Sequence, residues 1–180
     1  MSTFDNQELG DKVSIKSVAV KWGAISGAIG IVFYLILILG DLIMTKGVSY
    51  IGLIPFIVVI VMAHKEFKNQ GDEFMTYAEG LKIGLMLSLI GGLILALFSF
   101  IYGQFIDPGL ADRMMDYIVQ EWENQGMSDE QIEQAMGFTK YMFNPYLGLI
   151  IVIIKNVLVG FILSLVISAI TKKNNPELEV

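Results

Sequence analysis

Two polar residues, Lys155 and Asn156, interrupt an apolar run in the stretch LIIVIIKNVLVGF. A lysine at the centre of a membrane-spanning helix costs about 2.5–3.5 kcal/mol, so it has to reach an interface or a partner. Lys155 lies ten residues after Pro145, or about 15 Å along a helix, which predicts a position in the outer half of the membrane. The candidate counter-ions are Asp41 and Asp107, at the outer ends of two other apolar runs. Together with Lys155 and Asn156 they form a candidate intramembrane polar site.

Three interpretations of Lys155 agree with this position. In the first, its aliphatic stem carries the ammonium group up to the outer headgroups. In the second, Lys155 pairs with Asp107 or Asp41 in a structural latch that Asn156 steadies. In the third, Lys155 and Asn156 line a site or pathway for a ligand or an ion. The sequence leaves all three open.

Residue patterns typical of enzymes and metal sites are missing from the sequence. The chain has a single histidine, His64, and no cysteine, which excludes thiolate chemistry and leaves no cluster of metal ligands. It also has no G-x-S-x-G, P-loop, dinucleotide-binding or EF-hand pattern. We therefore expect a protein that is not an enzyme and that has no catalytic residue, metal or cofactor. We expect His64 to lie at the inner membrane boundary with its polar tip in water.

Composition assigns the chain to the lipid bilayer. Hydrophobic residues make up 54% of the 180 positions and charged residues 17%, an apolar excess over soluble domains. Four runs carry no charge apart from Lys155, and each approaches the roughly 20 residues that a spanning helix needs. These runs are 22–40, 47–63, 83–106 and 146–170. The predicted fold is all-α: an integral membrane bundle of four transmembrane helices with a short helical external cap.

The domain organisation follows from these runs. We predict tails at residues 1–18 and 174–180 on either side of a four-span membrane domain at residues 19–173. Eight Lys residues flank the runs in the two tails and in the connection between the second and third runs, whereas three basic residues lie in the other two connections. Because basic residues are retained in the cytoplasm, both termini are expected there.

The connection at residues 107–144 is the largest segment between the runs. It holds eight acidic and two basic residues, so its formal charge equals the −6 of the whole chain. This acidity gives no support to nucleic-acid binding. Apolar residues spaced by four from Leu110 to Trp122 predict one amphipathic helix. After a break at Gly126, Ser128 and Gln131 predict a capping box at the start of a second helix.

Small residues recur every fourth position in or beside three of the runs, a spacing that lets helix backbones approach closely in lipid. The predicted packing residues are Gly23, Gly27, Gly80, Gly84, Ser88, Gly92, Gly160, Ser164 and Ser168. Such faces either pack the helices of one chain together or bind a second copy of the chain or another membrane protein.

Short motifs give the chain a family resemblance. They are GDEFMTYAEGLKIG before the third run, IYGQFIDPGL after it, and MSDEQIEQAM in the long connection. With four spans, they resemble a family of small bacterial membrane proteins classed only as a domain of unknown function, from about Lys21 to Lys173. The resemblance implies a bacterial inner-membrane location and carries over no catalytic residue.

Two functions agree with these observations. The first is a small membrane subunit or accessory protein that binds a partner through the external helical loop or the small-residue faces. The alternative is a small transporter or channel component with a polar path near Lys155 and Asn156. Intramembrane acids, which cation coupling usually requires, are scarce, and this favours the first.

Overall fold

Six α-helices account for most of the residues that the computed structural model describes, 13–176. They are α1 (Ile15–Leu39), α2 (Leu53–Gln70), α3 (Tyr77–Ile101), α4 (Leu110–Asn124), α5 (Asp129–Met142) and α6 (Pro145–Thr171). A 3₁₀ helix at Val48–Gly52 precedes α2, and a π-helical turn at Tyr102–Ile106 continues α3. Much of both predicted tails, at 1–12 and 177–180, lies outside the described residues.

Four of these helical segments are long and apolar enough to cross a membrane. They are Ile15–Leu39, Val48–Gln70, Tyr77–Ile106 and Pro145–Thr171. The predicted all-α membrane bundle with four spans is therefore confirmed. We call the side of the bundle that carries α4 and α5 the cap side, and the side with Ile15 and Thr171 the tail side.

Several helices extend beyond the apolar runs on the tail side, because their ends are capped in polar sequence. Helix α1 begins at Ile15, and Ser14 is its N-cap: the Ser14 side chain accepts a hydrogen bond from the amide of Ser17. Helix α3 begins at Tyr77 with a capping box formed by Thr76 and Glu79. Hydrophobicity marks the part of a helix that lies in lipid, whereas the caps mark where the helix begins.

The cap consists of the two helices, α4 and α5, that the sequence predicts. Helix α4 ends in a turn in which Gly126 has a φ of 80°, a left-handed conformation that favours glycine. Helix α5 then starts with the expected capping box: the Ser128 side chain accepts from the amide of Gln131, whose side chain accepts from the amide of Ser128.

Helix α3 lies at the centre of the bundle and packs against α6 through small residues. A methyl group added to Gly84 would overlap Ser164, and one added to Gly160 would overlap Ser88. The same register brings Gly80 against Ser168 and Gly92 against Asn156. Four glycines thus each face a polar residue of the partner helix, and the two backbones approach closely.

Another face of α3 packs against α1. A methyl group on Gly23 would lie 2.7 Å from Cβ of Ile90, and one on Gly27 would lie 2.7 Å from Cβ of Ile94. All nine predicted packing residues therefore face neighbouring helices of their own chain. Their faces are occupied and do not offer a free surface to a partner.

Candidate functional site

A cavity of about 330 Å³ lies between α1, α2, α3 and α6, from the middle of the bundle toward its cap side. Three glycines form part of its wall: Gly52 and Gly91 are in close contact with Phe33 and Ser26, whereas Gly30 leaves space. At Gly30 an added methyl group would lie 3.5 Å from Leu95, an ordinary contact distance. Here α1 and α3 are therefore packed less tightly than at Gly23.

Five polar side chains line this intramembrane cavity, and the rest of its lining is apolar or glycine. The five are Ser26, Tyr34, Ser49, Lys155 and Asn156. Within residues 13–176, none of these side chains has a hydrogen-bond or ion-pair partner, whereas Lys21, Lys46 and Arg113 each have a carboxylate partner. The cavity thus brings together one cation, one amide and three hydroxyls that have no partner in the described part of the chain.

The two candidate counter-ions of Lys155 lie elsewhere. Arg113 donates two hydrogen bonds to Asp107, from Nη1 to Oδ1 over 3.1 Å and from Nη2 to Oδ2 over 2.6 Å. The guanidinium holds the pKa of Asp107 below its ordinary value, and the carboxylate raises that of Arg113. Asp41 lines a different cavity. The latch between Lys155 and an aspartate is therefore not formed among the described residues. Asp107 pairs instead with Arg113, which lies six residues later in the chain.

A second, larger cavity of about 690 Å³ lies at the cap side between the α1–α2 connection and α4. Its charged residues are Asp41, Lys46, Arg113 and Glu121. The Lys46 ammonium pairs with Glu121 over 2.5 Å, and this hydrogen bond raises the pKa of Lys46. Ile43 lines both this outer cavity and the intramembrane cavity, so the two are neighbours.

Three lining residues of the intramembrane cavity, Ser26, Tyr34 and Ser49, were missed as site residues by the sequence analysis. For α1 a signal was present. Ser26, Gly30 and Tyr34 recur at four-residue spacing, which puts them on one helical face. For Ser49 the sequence gives no signal, because its position depends on how the 3₁₀ helix packs against α1.

The prediction that the polar tip of His64 lies in water was wrong. Its side chain is 0% exposed and lies between α2, α3 and α6 on the tail side. Its Nε2 lies 2.9 Å from the carbonyl oxygen of Gly80, and its Nδ1 lies 2.8 Å from Oγ1 of Thr171. A carbonyl oxygen can only accept, so Nε2 carries a hydrogen. These two contacts give both ring nitrogens a hydrogen-bond partner in an interior that water does not reach.

A carboxylate links α1 to α2 on the same side of the bundle. Glu66 accepts hydrogen bonds from Nζ of Lys21 at 2.7 Å, from Nε1 of Trp22 at 3.0 Å and from Nε2 of Gln70 at 2.9 Å. Two of these donors belong to α1, so Glu66 connects helices that are distant in sequence. These hydrogen bonds hold α1 against α2.

Across residues 13–176, no three His, Cys, Asp or Glu side chains are close enough together to hold a metal ion. The candidate functional site of the described residues is the intramembrane cavity, where five polar side chains meet.

Comparisons with known proteins identify a family. The family model described as "Protein of unknown function (DUF4199)" matches residues 21–173. Comparisons with curated proteins and with solved structures found no significant match.

Proposed function

The chain belongs to the DUF4199 family of unknown function, so its role has to be argued from its own cavities, and we propose that it binds a small ligand in the intramembrane cavity as a transporter or channel component. The observation that carries this proposal is the convergence of five unpartnered polar side chains on one space. In lipid, each polar group without a hydrogen bond costs free energy. A ligand, or water that a ligand displaces, would supply the missing partners.

The charge of Lys155 gives the strongest support. Charged residues in spanning helices typically pair with one another or line a functional path, and Lys155 has no carboxylate partner among the described residues. Lys155 is exposed at the surface of the bundle and also lies on the wall of the cavity beside Asn156. Snorkelling alone would explain Lys155, but it would not explain why the other polar side chains meet at the same cavity.

The neighbouring outer cavity supports access from the cap side. It is bordered by the charged residues of the α1–α2 connection and α4, and only the shared wall residue Ile43 is common to both spaces. We propose that the cap side faces the outside of a bacterial inner membrane, in agreement with the basic flanks on the tail side. A solute would then pass through the outer cavity before it reached Asn156.

The test of this proposal uses the absence of cysteine from the chain. Single cysteines at Ser26 and Asn156 are treated with a small water-soluble thiol reagent, with the protein in nanodiscs so that both sides are accessible. Leu158 is the matched control, since it is 55% exposed on the outer surface of α6 and faces lipid in the membrane. Ser164, buried against α3, is the control for a dry interface.

We expect the cysteines at positions 26 and 156 to react and those at 158 and 164 to stay unreactive. Labelling at 26 and 156 as slow as at the two controls would mean that water does not enter the cavity, and the proposal would then be wrong.

A second candidate function is that of a small membrane subunit or accessory protein. The observation in its favour is on α5, where the aromatic residues Phe138 and Tyr141 are 67% and 63% exposed. Since the small-residue faces are occupied within the chain, a partner would have to bind through this cap. A photoreactive residue at Phe138 that forms the same protein adduct in native membranes, and none when placed at Leu158, would favour this function.

A further inference from the structure

We propose that the ligand of the intramembrane cavity is an amphiphilic monoanion, whose acid group is held at Lys155 and Asn156 while its apolar body lies among Phe33, Phe56 and Leu95. This inference rests on the proposed function and names the ligand class of the same site.

The charge of the lining specifies one negative charge. Lys155 is the only charged residue among the side chains that form the wall. A monoanion therefore gives a neutral complex, whereas a dianion would leave one uncompensated charge in a medium of low dielectric constant. A cation would face Lys155 without any carboxylate to offset the repulsion.

The hydrogen-bonding groups agree with an acceptor ligand. An ammonium has donors only, and an amide and the hydroxyls can donate as well. Lys155 and Asn156 are consecutive on α6, and Asn156 is fixed against Gly92 of α3. The acid group can therefore lie between the ammonium of Lys155 and the side-chain amide of Asn156. A carboxylate or a phosphodiester, which accepts from several donors at once, satisfies this arrangement.

The remaining wall predicts the apolar part of the ligand. Phe33, Phe56, Leu95 and the valines of α6 make most of the lining apolar. At about 330 Å³ the space is at the small end of ligand cavities, which span about 300–1,000 Å³. It accommodates a short chain or ring, or the upper part of one lipid chain.

The contacts between α2 and α6 show where such a chain could extend. Phe56 packs near Gly160, and His64 contacts Thr171, both toward the tail side. On the cap side of Phe56, α2 and α6 both line the cavity, at Leu53 and Val152. A ligand held at Lys155 therefore lies between these helices, close to the outer leaflet.

One chemistry has two sources here, a free carboxylic acid and an acidic membrane lipid. The first arm of the experiment measures thermal stabilisation of the protein in phosphatidylcholine nanodiscs by decanoate, by decanol and by decyltrimethylammonium. The second arm compares nanodiscs of phosphatidylcholine with nanodiscs that contain phosphatidylglycerol, without added acid. Both arms are repeated with Lys155→Met and with Lys140→Met, which removes an exposed cation of α5 outside the cavity.

We expect decanoate to bind at least about tenfold more tightly than decanol, the factor that a charge-assisted contact of modest strength gives. Lys155→Met should abolish this difference, and Lys140→Met should retain it. Stabilisation by decanoate assigns the free acid, and stabilisation by phosphatidylglycerol alone assigns the lipid. Either result supports the monoanion, provided that it depends on Lys155.

Equal binding of decanoate and decanol, or stabilisation that survives Lys155→Met, would overturn the ligand class. If the cysteine at position 156 were still labelled, the cavity would remain a binding site for another kind of ligand. If that cysteine were unreactive as well, the proposed function itself would be wrong. Should Lys155→Met fail to fold, cross-linking of a diazirine-bearing decanoate to the wild-type protein decides the question, because labelling outside the cavity wall contradicts the proposal.

Discussion

The Nδ1 atom of His64 lies 2.8 Å from the hydroxyl oxygen of Thr171, a residue 107 positions away in the chain. The opposite ring nitrogen contacts the carbonyl oxygen of Gly80. One imidazole therefore connects α2, α3 and α6 at the tail side of the bundle. Lys68 adds to the junction by donating to the carbonyl oxygen of Thr171 over 2.9 Å.

Replacing Thr171 by valine should destabilise the protein by about 1–3 kcal/mol, because Nδ1 of His64 would be left buried without a partner. Thr171→Ser keeps the hydroxyl and should be close to wild type. Thr139→Val is the control, since that hydroxyl contacts only the carbonyl oxygen of Ala135 within α5. Chemical unfolding in detergent measures all three. Equal stability of the Thr171→Val and Thr139→Val variants would contradict a supporting role for the His64 junction.

The α3–α6 interface should not tolerate a single added methyl group. Gly84→Ala would place that group against Ser164, and overpacking of this kind costs about 1–3 kcal/mol. Gly148→Ala on α6 is the matched control, because no atom lies within 4 Å of the new methyl group. Helix propensity favours that alanine by up to about 1 kcal/mol. Thermal unfolding should therefore separate the two variants in opposite directions from wild type.

If Gly84→Ala were as stable as Gly148→Ala, the close approach of α3 to α6 would not be a constraint. A third variant checks the geometry directly. Ser164→Gly combined with Gly84→Ala removes the side chain that the new methyl group meets, and it should recover part of the loss.

Glu66→Ala should loosen α1 from α2 on the tail side. The variant loses the acceptor of both Lys21 and Trp22, and we expect a loss of about 1–2 kcal/mol, limited by the exposure of the Lys21 pair. Glu66→Gln retains an oxygen acceptor for Trp22 and should lose less. In a Trp122→Phe background Trp22 is the only tryptophan, so its fluorescence anisotropy reports this contact. An anisotropy unchanged in Glu66→Ala would show that other contacts hold Trp22.

The ion pair of Asp107 with Arg113 should make the start of α4 sensitive to acid. Arg113 lowers the pKa of Asp107 relative to its ordinary value, so the carboxylate is favoured by folding. A depressed pKa means that the stabilisation is present at neutral pH and is lost as the pH falls through the lowered value. Because both side chains are accessible to solvent, the effect is small and screened by salt.

The measurement is the difference in unfolding free energy between wild type and Asp107→Asn, followed from about pH 7 to about pH 3. We expect the difference to shrink toward zero at the acid end. Asp116→Asn, which removes a carboxylate of α4 without an ion pair in the described residues, should show no such trend. A wild-type advantage over Asp107→Asn that persists undiminished in acid would contradict the assignment.

The architecture was predictable because its signals are local. An uncharged run of sufficient length predicts a span. Ser128 and Gln131, three residues apart, predict the start of α5. The glycine spacing of α3 likewise predicts a close helix contact. In each case the information lies in one contiguous stretch of sequence, from a single helical turn for the capping box to about five turns for a span.

The surroundings of single polar residues could not be predicted in this way. The polar tip of His64 was expected in water. Nothing near His64 in the sequence indicates that Thr171, 107 positions away, is its partner. Asp107 was predicted as a counter-ion of Lys155, but its carboxylate pairs with Arg113. Both outcomes depend on how distant helices are placed beside one another, which hydrophobic periodicity does not specify.

The central position of α3 has a consequence for the order of biosynthesis. Chains are synthesised from the N-terminus, so α1 and α2 enter the bilayer before the helix that fills the grooves at Gly23 and Gly27 exists. A ribosome that stalls before Ile94 leaves a half-built hairpin whose glycine surface stays open to lipid. The first two helices therefore have to wait, in lipid or beside the insertion machinery, until the third emerges and completes the bundle.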